Sequence, residues 1–201
     1  MDWENPLRSI AATVDADVLR VLAGTHEPVT GNELAHLAGR SYAQVYAVVG
    51  RMVDEGLVLA ARYGRTNTFR LNRDHVLAHG VLGILAAPAR LENEIRQSVQ
   101  GWNLLPELVA LSGSAARRRT GADGQIDLLV VLSDQTNRRD PAWRSQIDAL
   151  ARRIEHLCGN RIQIREMDQA EHQDAISGGG AAGRMRSSDT RTIFERRWAT
   201  S

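Results

Sequence analysis

The feature that most constrains the fold is a glycine-serine turn between two apolar segments in the second half of the chain. Residues 111–117 are Leu-Ser-Gly-Ser-Ala-Ala-Arg, and residues 125–131 are Gln-Ile-Asp-Leu-Leu-Val-Val. This order predicts a strand, a turn that opens a short helix, and a second strand that carries one carboxylate, Asp127. The free N–H groups at the start of a helix favour phosphate, and a carboxylate on the next strand can hold a divalent cation beside it. The two segments therefore predict a scaffold for a phosphate or a nucleotide.

This pattern resembles the signature of the nucleotidyltransferase superfamily, in which Gly-Ser and a spacer are followed by Asp-x-Asp. The resemblance covers about residues 107–168 of the chain. It implies a C-terminal α/β domain with a small mixed sheet, and Mg²⁺ and an NTP as its ligands. It places a metal ion on Asp127 and a nucleotide on Gly113, Ser114, Arg117, Arg118 and Arg119.

The same comparison indicates that the metal site has lost most of its acids. Gln125 stands where the superfamily has the first acid of the pair. The third acid would come from a later strand, where alternation of side chains puts Gln163 or Arg165 on the side of Asp127. Glu166 then lies on the opposite side of that strand. Because two-metal phosphoryl transfer needs several carboxylates, we expect a degenerate site at Asp127 and Gln125 and assign no catalytic residue.

The N-terminal part of the chain combines short helices with a basic hairpin. Thr30 to Glu33 and Ser41 to Gln44 are capping-box sequences, which predict the starts of two short helices after a first helix over 14–23. Two predicted strands follow, joined by a turn at Arg62 to Arg65. Three short helices and a hairpin over 13–73 resemble bacterial winged helix-turn-helix transcriptional regulators. The resemblance implies a domain that binds double-stranded DNA.

Basic residues are concentrated in the second half of this N-terminal part. Six arginines stand against two acids between Arg40 and Arg73. In a helix-turn-helix the N-terminal residues of the second helix enter the major groove, so Gln44 is a candidate for reading adenine. Arginines near that helix and on the hairpin are candidates for phosphate contacts. We expect DNA contacts from Arg40, Ser41, Tyr42, Gln44, Arg51, Arg62 and Arg65.

The whole chain is predicted to be α+β, with three parts. A winged helix-turn-helix domain of three helices and a β-hairpin covers 1–75, and a helical connector covers 76–106. The nucleotidyltransferase-like domain covers 107–201, in which the glycine-rich run 178–183 is predicted to be a loop.

The predicted connector carries an apolar stripe whose role the sequence leaves open. Leu91, Ile95 and Val99 recur at a spacing of four on one face of a helix. This stripe either packs against the protein's own domains or forms the seam of a homodimer. A dimer is expected because winged-helix regulators commonly bind half-sites as two-fold pairs.

Composition narrows the classes of function. All 25 basic residues are arginines, and a chain without lysine has neither a P-loop nor a Schiff-base lysine. A single cysteine and the lack of an apolar run long enough to span a bilayer predict a cytoplasmic protein without a membrane partner.

Two functions agree with these patterns. The first is a DNA-binding transcriptional regulator whose nucleotidyltransferase-like domain is inactive and serves as a sensor or an interaction domain. The alternative is an active Mg²⁺-dependent nucleotidyltransferase that moves a nucleotidyl group from an NTP to a protein, RNA or small molecule, as such domains do in toxin–antitoxin modules. The number of acids at the metal site separates the two functions, and a single firm acid, Asp127, favours the regulator.

Overall fold

The computed structural model describes residues 1–177 and 190–196. The chain divides into two compact units. The N-terminal unit is Asn5–Ala87, and the C-terminal unit is Met1–Glu4 together with the chain from Pro88 onward. None of the helices in the described part of the chain is long and apolar enough to cross a membrane.

The predicted connector at 76–106 is not a separate part of the structure. Ala78 and Val81 are buried in the core of the N-terminal unit, whereas the helix that follows contributes to the core of the C-terminal unit. Apolar side chains on either side of Ala87 are thus used by different cores, which places the boundary inside the predicted connector. The glycine-rich run 178–183 lies outside the described residues.

The N-terminal unit consists of helices packed on a small antiparallel sheet. After a 3-10 turn at Pro6–Ser9, its elements are α1 (Thr13–Gly24), β1 (Val29–Thr30), α2 (Gly31–Ala38), α3 (Tyr42–Asp54), β2 (Val58–Tyr63), β3 (Thr66–Leu71) and α4 (Ala78–Leu85). The strands lie in the order β1-β3-β2. The three helices and the hairpin of the sequence prediction are present. The two-residue strand β1, which pairs Val29 with Phe69, is an addition to that prediction.

Local sequence explains where these helices begin and end. The Thr30 hydroxyl accepts a hydrogen bond from the Glu33 N–H at 3.2 Å and so caps α2. Ser41 and Gln44 form the reciprocal capping box at the start of α3 that the sequence predicts. Gly39 ends α2 with a φ of 64°, a conformation that favours glycine. Apolar side chains then face a common core, including Leu22, Leu34, Val45, Val49 and Phe69.

The C-terminal unit is a four-stranded sheet with helices. Its elements are α5 (Ala87–Gln100), β4 (Leu108–Ser112), α6 (Gly113–Ala116), β5 (Ile126–Val131), α7 (Pro141–Cys158), β6 (Ile162–Met167), α8 (Gln169–Ser177) and β7 (Thr190–Glu195). The strand order is β6-β5-β4-β7. β5 and β6 are parallel, while β4 is antiparallel to both β5 and β7. The sheet is therefore mixed, as the sequence predicts.

The apolar stripe on α5 belongs to the core of the C-terminal unit. Leu91, Ile95 and Val99 lie in one buried cluster with side chains from the sheet and from α7, among them Trp143. Trp3 is in the same cluster, with only 2% of its surface exposed. Because these stripe residues are covered within a single chain, they do not provide the seam of a homodimer.

Candidate functional site

The exposed face of α3 carries a stripe of small residues. Val45, Val49 and Met52 are buried in the core. A helix turns by about 100° per residue, which puts Ala43, Ala47 and Gly50 on the opposite, exposed side. Another surface can therefore approach the backbone of α3 closely along this stripe.

A stacked pair of tyrosines borders the stripe of small residues. Tyr42 and Tyr46 are about half exposed, at 49% and 48%. Their ring centroids are 5.6 Å apart and their planes differ by 23°. A Cβ atom at Gly31 would lie 3.0 Å from Cε2 of Tyr42, so the lack of a side chain at this position leaves room for the ring. Tyr46 was not among the predicted DNA contacts, although its spacing of four from Tyr42 puts the two rings together on a helix.

Ser41 and Gln44 use their side chains to cap α3. Oε1 of Gln44 accepts hydrogen bonds from the Ser41 N–H at 3.3 Å and from the Ser41 hydroxyl at 3.0 Å. The Gln44 N–H donates to Ser41 Oγ at 3.3 Å. A bidentate contact to adenine needs both the oxygen and the nitrogen of the amide. Gln44 would have to leave the cap to make that contact, so its role in reading adenine stays a prediction.

Arg40 is held by a buried carboxylate. The guanidinium of Arg40 lies 2.8 Å from Asp17, whose side chain is fully buried. Arg8 and Asn5 also donate hydrogen bonds to Asp17. Burial acts to raise the pKa of the Asp17 carboxyl, but the hydrogen bonds from Arg40, Arg8 and Asn5 outweigh it and lower the pKa below its ordinary value. The charge of Arg40 is therefore matched inside the N-terminal unit, and its predicted DNA contact stays a prediction.

Two further arginines of the basic segment have partners within the protein. Arg51 is about half exposed and pairs with Asp15 and with Glu55. Arg73 donates hydrogen bonds to backbone carbonyls at the end of α1, at 2.9 Å and 3.4 Å. These contacts hold α1 to α3 and to the end of the hairpin, and they reduce the charge that the segment offers to DNA.

The hairpin of β2 and β3 presents the other arginines. Tyr63 pairs with Thr66, so the connecting turn is Gly64 and Arg65, with φ of 60° at the glycine. Tyr63 is 85% exposed. Within residues 1–177 and 190–196, no ion pair joins the three arginines of the hairpin to a carboxylate. These are Arg62, Arg65 and Arg70.

In the C-terminal unit, the glycine-serine turn lies against Asp127. Gly113 has φ of 61°, and a Cβ atom there would lie 3.1 Å from Asp127 Oδ2. Ser112 pairs with Asp127 across β4 and β5. This contact forms one wall of a cleft of about 370 Å³. The cleft is lined by Ser112, Gly113, Gln125, Asp127, Leu128, Gln163 and Arg165.

An amide nitrogen joins the polar side chains of the cleft. Nε2 of Gln125 donates hydrogen bonds to Asp127 Oδ1 at 2.6 Å and to Gln163 Oε1 at 2.5 Å. The nitrogen has to face Asp127, since an amide oxygen at that distance would be repelled by the carboxylate. Gln163 lies beside Asp127 in the register of β5 and β6. Glu166 accepts a hydrogen bond from Trp143 instead, so both follow the predicted alternation.

The donor set of this cleft does not suit Mg²⁺. The ion usually binds one or two carboxylates together with water and substrate phosphates. Here the one carboxylate, Asp127, already accepts from the amide nitrogen of Gln125, which cannot serve as a ligand. The described residues contain no group of three or more histidines, cysteines or acids that could hold a metal ion.

The three arginines after the glycine-serine turn have different surroundings. Arg118 has φ of 54° and donates to Glu92 Oε1 at 3.1 Å and 3.3 Å. Glu92 is also paired with Arg191, at 3.4 Å. Arg118 therefore ties the loop to α5, and its role toward a nucleotide stays a prediction. Arg117 and Arg119 are exposed.

Ser114 has a partner as well. Its hydroxyl lies 2.9 Å from the hydroxyl of Thr120, and Thr120 is buried. The pair closes the loop between α6 and β5. The side chain of Ser114 would have to exchange this contact to bind a phosphate.

Comparison with known families supports the interpretation of the N-terminal unit. Residues 12–71 match the family described as the sugar-specific transcriptional regulator TrmB. The match runs from the start of α1 to the end of β3 and covers less than a third of the chain. It identifies this segment as a helix-turn-helix domain of the regulator type and indicates a DNA-binding transcriptional regulator. No match was found among curated proteins or solved structures.

Proposed function

We propose that this protein regulates transcription by placing α3 in the major groove of double-stranded DNA, with the β2–β3 hairpin on the flanking backbone. The observation that carries the proposal is the combination of a small-residue stripe on α3 with a hairpin whose arginines form no ion pair with an acid in the described part of the chain. A helix with short side chains along its outer face fits deeply into a groove about 12 Å wide. Arginines on the adjacent hairpin are then close to phosphates.

The distribution of charge supports this orientation. Arg40, Arg51 and Arg73 are matched by acids or carbonyls inside the N-terminal unit. Arg65 and Arg70, by contrast, form no ion pair with an acid among the described residues, so their positive charge is available to DNA phosphates. Phosphate contacts of this kind release counterions from DNA, so binding should weaken steeply as salt increases.

For the C-terminal unit we propose a nucleotidyltransferase-like scaffold that serves as a sensor or an interaction domain. The support is the strand-turn-helix-strand order of β4, α6 and β5, and the approach of Gly113 to Asp127. The hydrogen bonds of Gln125 argue against transfer chemistry, because the amide takes the place of a carboxylate. A nucleotide that binds here without a metal would rely on the Gly113 backbone and on Arg117 and Arg119.

The experiment that tests DNA binding compares two sets of arginines. Purified protein is titrated into a labelled random-sequence duplex at about 50 to 200 mM salt and followed by fluorescence polarisation. We expect Arg65→Ala with Arg70→Ala to weaken binding to every duplex and to reduce the salt slope by about 2, one unit for each lost phosphate contact. The matched control is Arg152→Ala with Arg161→Ala, which removes two exposed arginines from the C-terminal unit and should leave both values unchanged.

A wild-type protein that binds no duplex at the lowest salt would contradict the proposed function. Equal losses in the hairpin variant and in the control would show that the attraction depends on total charge and is not located on the hairpin.

A further inference from the structure

The side chains on the outer face of α3 differ in how much of their hydrogen-bonding capacity is available. Oε1 of Gln44 is used in the cap of the helix. Arg51 is paired with Asp15 and Glu55. Ala43 and Ala47 have no polar side-chain atoms. The part of α3 that faces outward is therefore mainly apolar at its centre.

Tyr46 has a large side chain on this outer face that a partner molecule can contact. Its ring borders the small residues and is about half exposed. The stack with Tyr42 restricts its motion from one side. Tyr42 is in turn seated over Gly31, where a Cβ atom would come within 3.0 Å. Tyr46 is thus held in place before any partner arrives, which lowers the entropy lost when it makes a contact.

Among the base edges in the major groove, one group is apolar. The C5-methyl of thymine is the group that apolar side chains contact there, whereas the other positions present donors and acceptors. An apolar helix face with an ordered aromatic ring complements a methyl group better than it complements a hydrogen-bonding edge, since polar edges left without partners lose their hydration.

We propose that Tyr46 determines sequence preference by contacting the C5-methyl of a thymine in the major groove, and that Tyr42 acts as a positioning residue for it. This inference rests on the proposed DNA-binding function. It moves base reading from Gln44, where the sequence alone placed it, to a residue two positions farther along the helix.

The test removes one methyl group at a time. The preferred duplex is first selected from a random pool with wild-type protein, and each thymine is then replaced by deoxyuridine, which lacks only that methyl. We expect binding to weaken about fourfold at one thymine of the site, the loss that corresponds to one buried methyl group. Tyr46→Ala should show no difference between the two bases at that position, and Tyr46→Phe should retain the difference.

The controls separate the ring from the general effect of losing a tyrosine. Tyr63→Ala removes a more exposed ring from the hairpin turn and should keep the preference for thymine over deoxyuridine. Gly31→Ala pushes against the Tyr42 ring without touching the outer face of α3, and it should reduce the thymine preference while the salt slope stays unchanged. Circular dichroism verifies that each variant is folded.

The outcomes distinguish this inference from the proposed function. If wild-type protein binds DNA but its thymine-to-deoxyuridine effect persists in Tyr46→Ala, or if no thymine shows an effect, the assignment to Tyr46 is wrong and DNA binding stands. If wild-type protein binds no duplex at any salt, the proposed function fails and this inference fails with it.

Discussion

Nε2 of Gln125 lies 2.6 Å from Oδ1 of Asp127, so the one acid among the described residues that line the C-terminal cleft is paired with an amide. The same nitrogen reaches Gln163 on the neighbouring strand at 2.5 Å. The amide nitrogen of Gln125 therefore bridges two side-chain oxygens of the cleft. This relationship gives the cleft a hydrogen-bonded floor in which Gln125 joins Asp127 to Gln163.

Placing an acid at position 125 should change metal affinity without producing catalysis. We expect wild-type protein to transfer no label from any NTP with Mg²⁺ or Mn²⁺. Gln125→Asp should bind Mn²⁺ more tightly in a calorimetric titration, because two carboxylates then share the ion. Turnover should still be absent, since Gln163 remains at the third position. Gln97→Asp, which adds an acid to an exposed position of α5, is the matched control.

Labelling of any substrate by the wild-type chain, lost on Asp127→Ala, would contradict this expectation. It would establish the nucleotidyltransferase alternative.

Arg40→Ala should reduce stability more than DNA affinity. The substitution leaves the buried Asp17 with fewer donors, and hydrogen bonds to charged groups are worth about 1.5–3 kcal/mol. Because the Arg40 side chain is 30% exposed, we expect a loss of about 1–2 kcal/mol in the free energy of unfolding. Urea unfolding followed by circular dichroism measures it, with Arg65→Ala as a control expected within about 0.5 kcal/mol of wild type. If the variant loses DNA affinity while its free energy of unfolding is unchanged, Arg40 contacts DNA and this expectation is wrong.

The lowered pKa of Asp17 predicts a contribution to acid sensitivity. Folding favours the ionised carboxylate, so the native state binds fewer protons than the unfolded state. The stability that results is complete above the ordinary value of about 3.8 and is lost as the pH falls through the lower pKa of the folded state. Unfolding free energies measured at several pH values below about 5 should fall less steeply for Asp17→Asn than for wild type. Parallel curves would show that Asp17 is not linked to folding.

Ile95→Ala should destabilise the C-terminal unit without changing the oligomeric state. Ile95 is fully buried in the cluster that includes Trp143, and truncation of a buried isoleucine leaves a cavity at a loss of about 2–5 kcal/mol. Tryptophan fluorescence during urea unfolding reports the loss. Sedimentation of wild type and variant at equal concentration reports the assembly. Conversion of a wild-type dimer to a folded monomer would show that the stripe on α5 is an intermolecular seam after all.

Elements specified by neighbouring residues could be predicted from the sequence. The caps at Thr30 and Ser41 require only residues three positions apart. Strand alternation is equally local, and from the sequence it predicts Gln163 beside Asp127 and Glu166 on the other side, as the structure shows. The winged helix-turn-helix and the mixed sheet follow from these patterns in order.

Features that depend on distant residues could not be predicted in the same way. Arg40 and Asp17 are 23 positions apart, and nothing in the arginine count of the segment indicates that one charge is matched from another helix. Arg118 meets Glu92 across a similar distance in sequence. The strand β1 is too short to show a period. Tyr46 was not among the predicted DNA contacts because the candidates on α3 were taken from its N-terminal residues and from Arg51.

The position of Trp3 in the sequence affects the order in which the two units fold during synthesis. The ring of Trp3 completes the core of the C-terminal unit, and its backbone N–H donates to the Thr120 carbonyl at 2.8 Å, yet the entire N-terminal unit separates it in sequence from these partners. During synthesis the continuous segment Asn5–Ala87 can fold as soon as it leaves the ribosome. The segment that holds Trp3 must instead wait for strands translated much later, so the C-terminal unit closes last and through contacts of high sequence separation, which fold slowly.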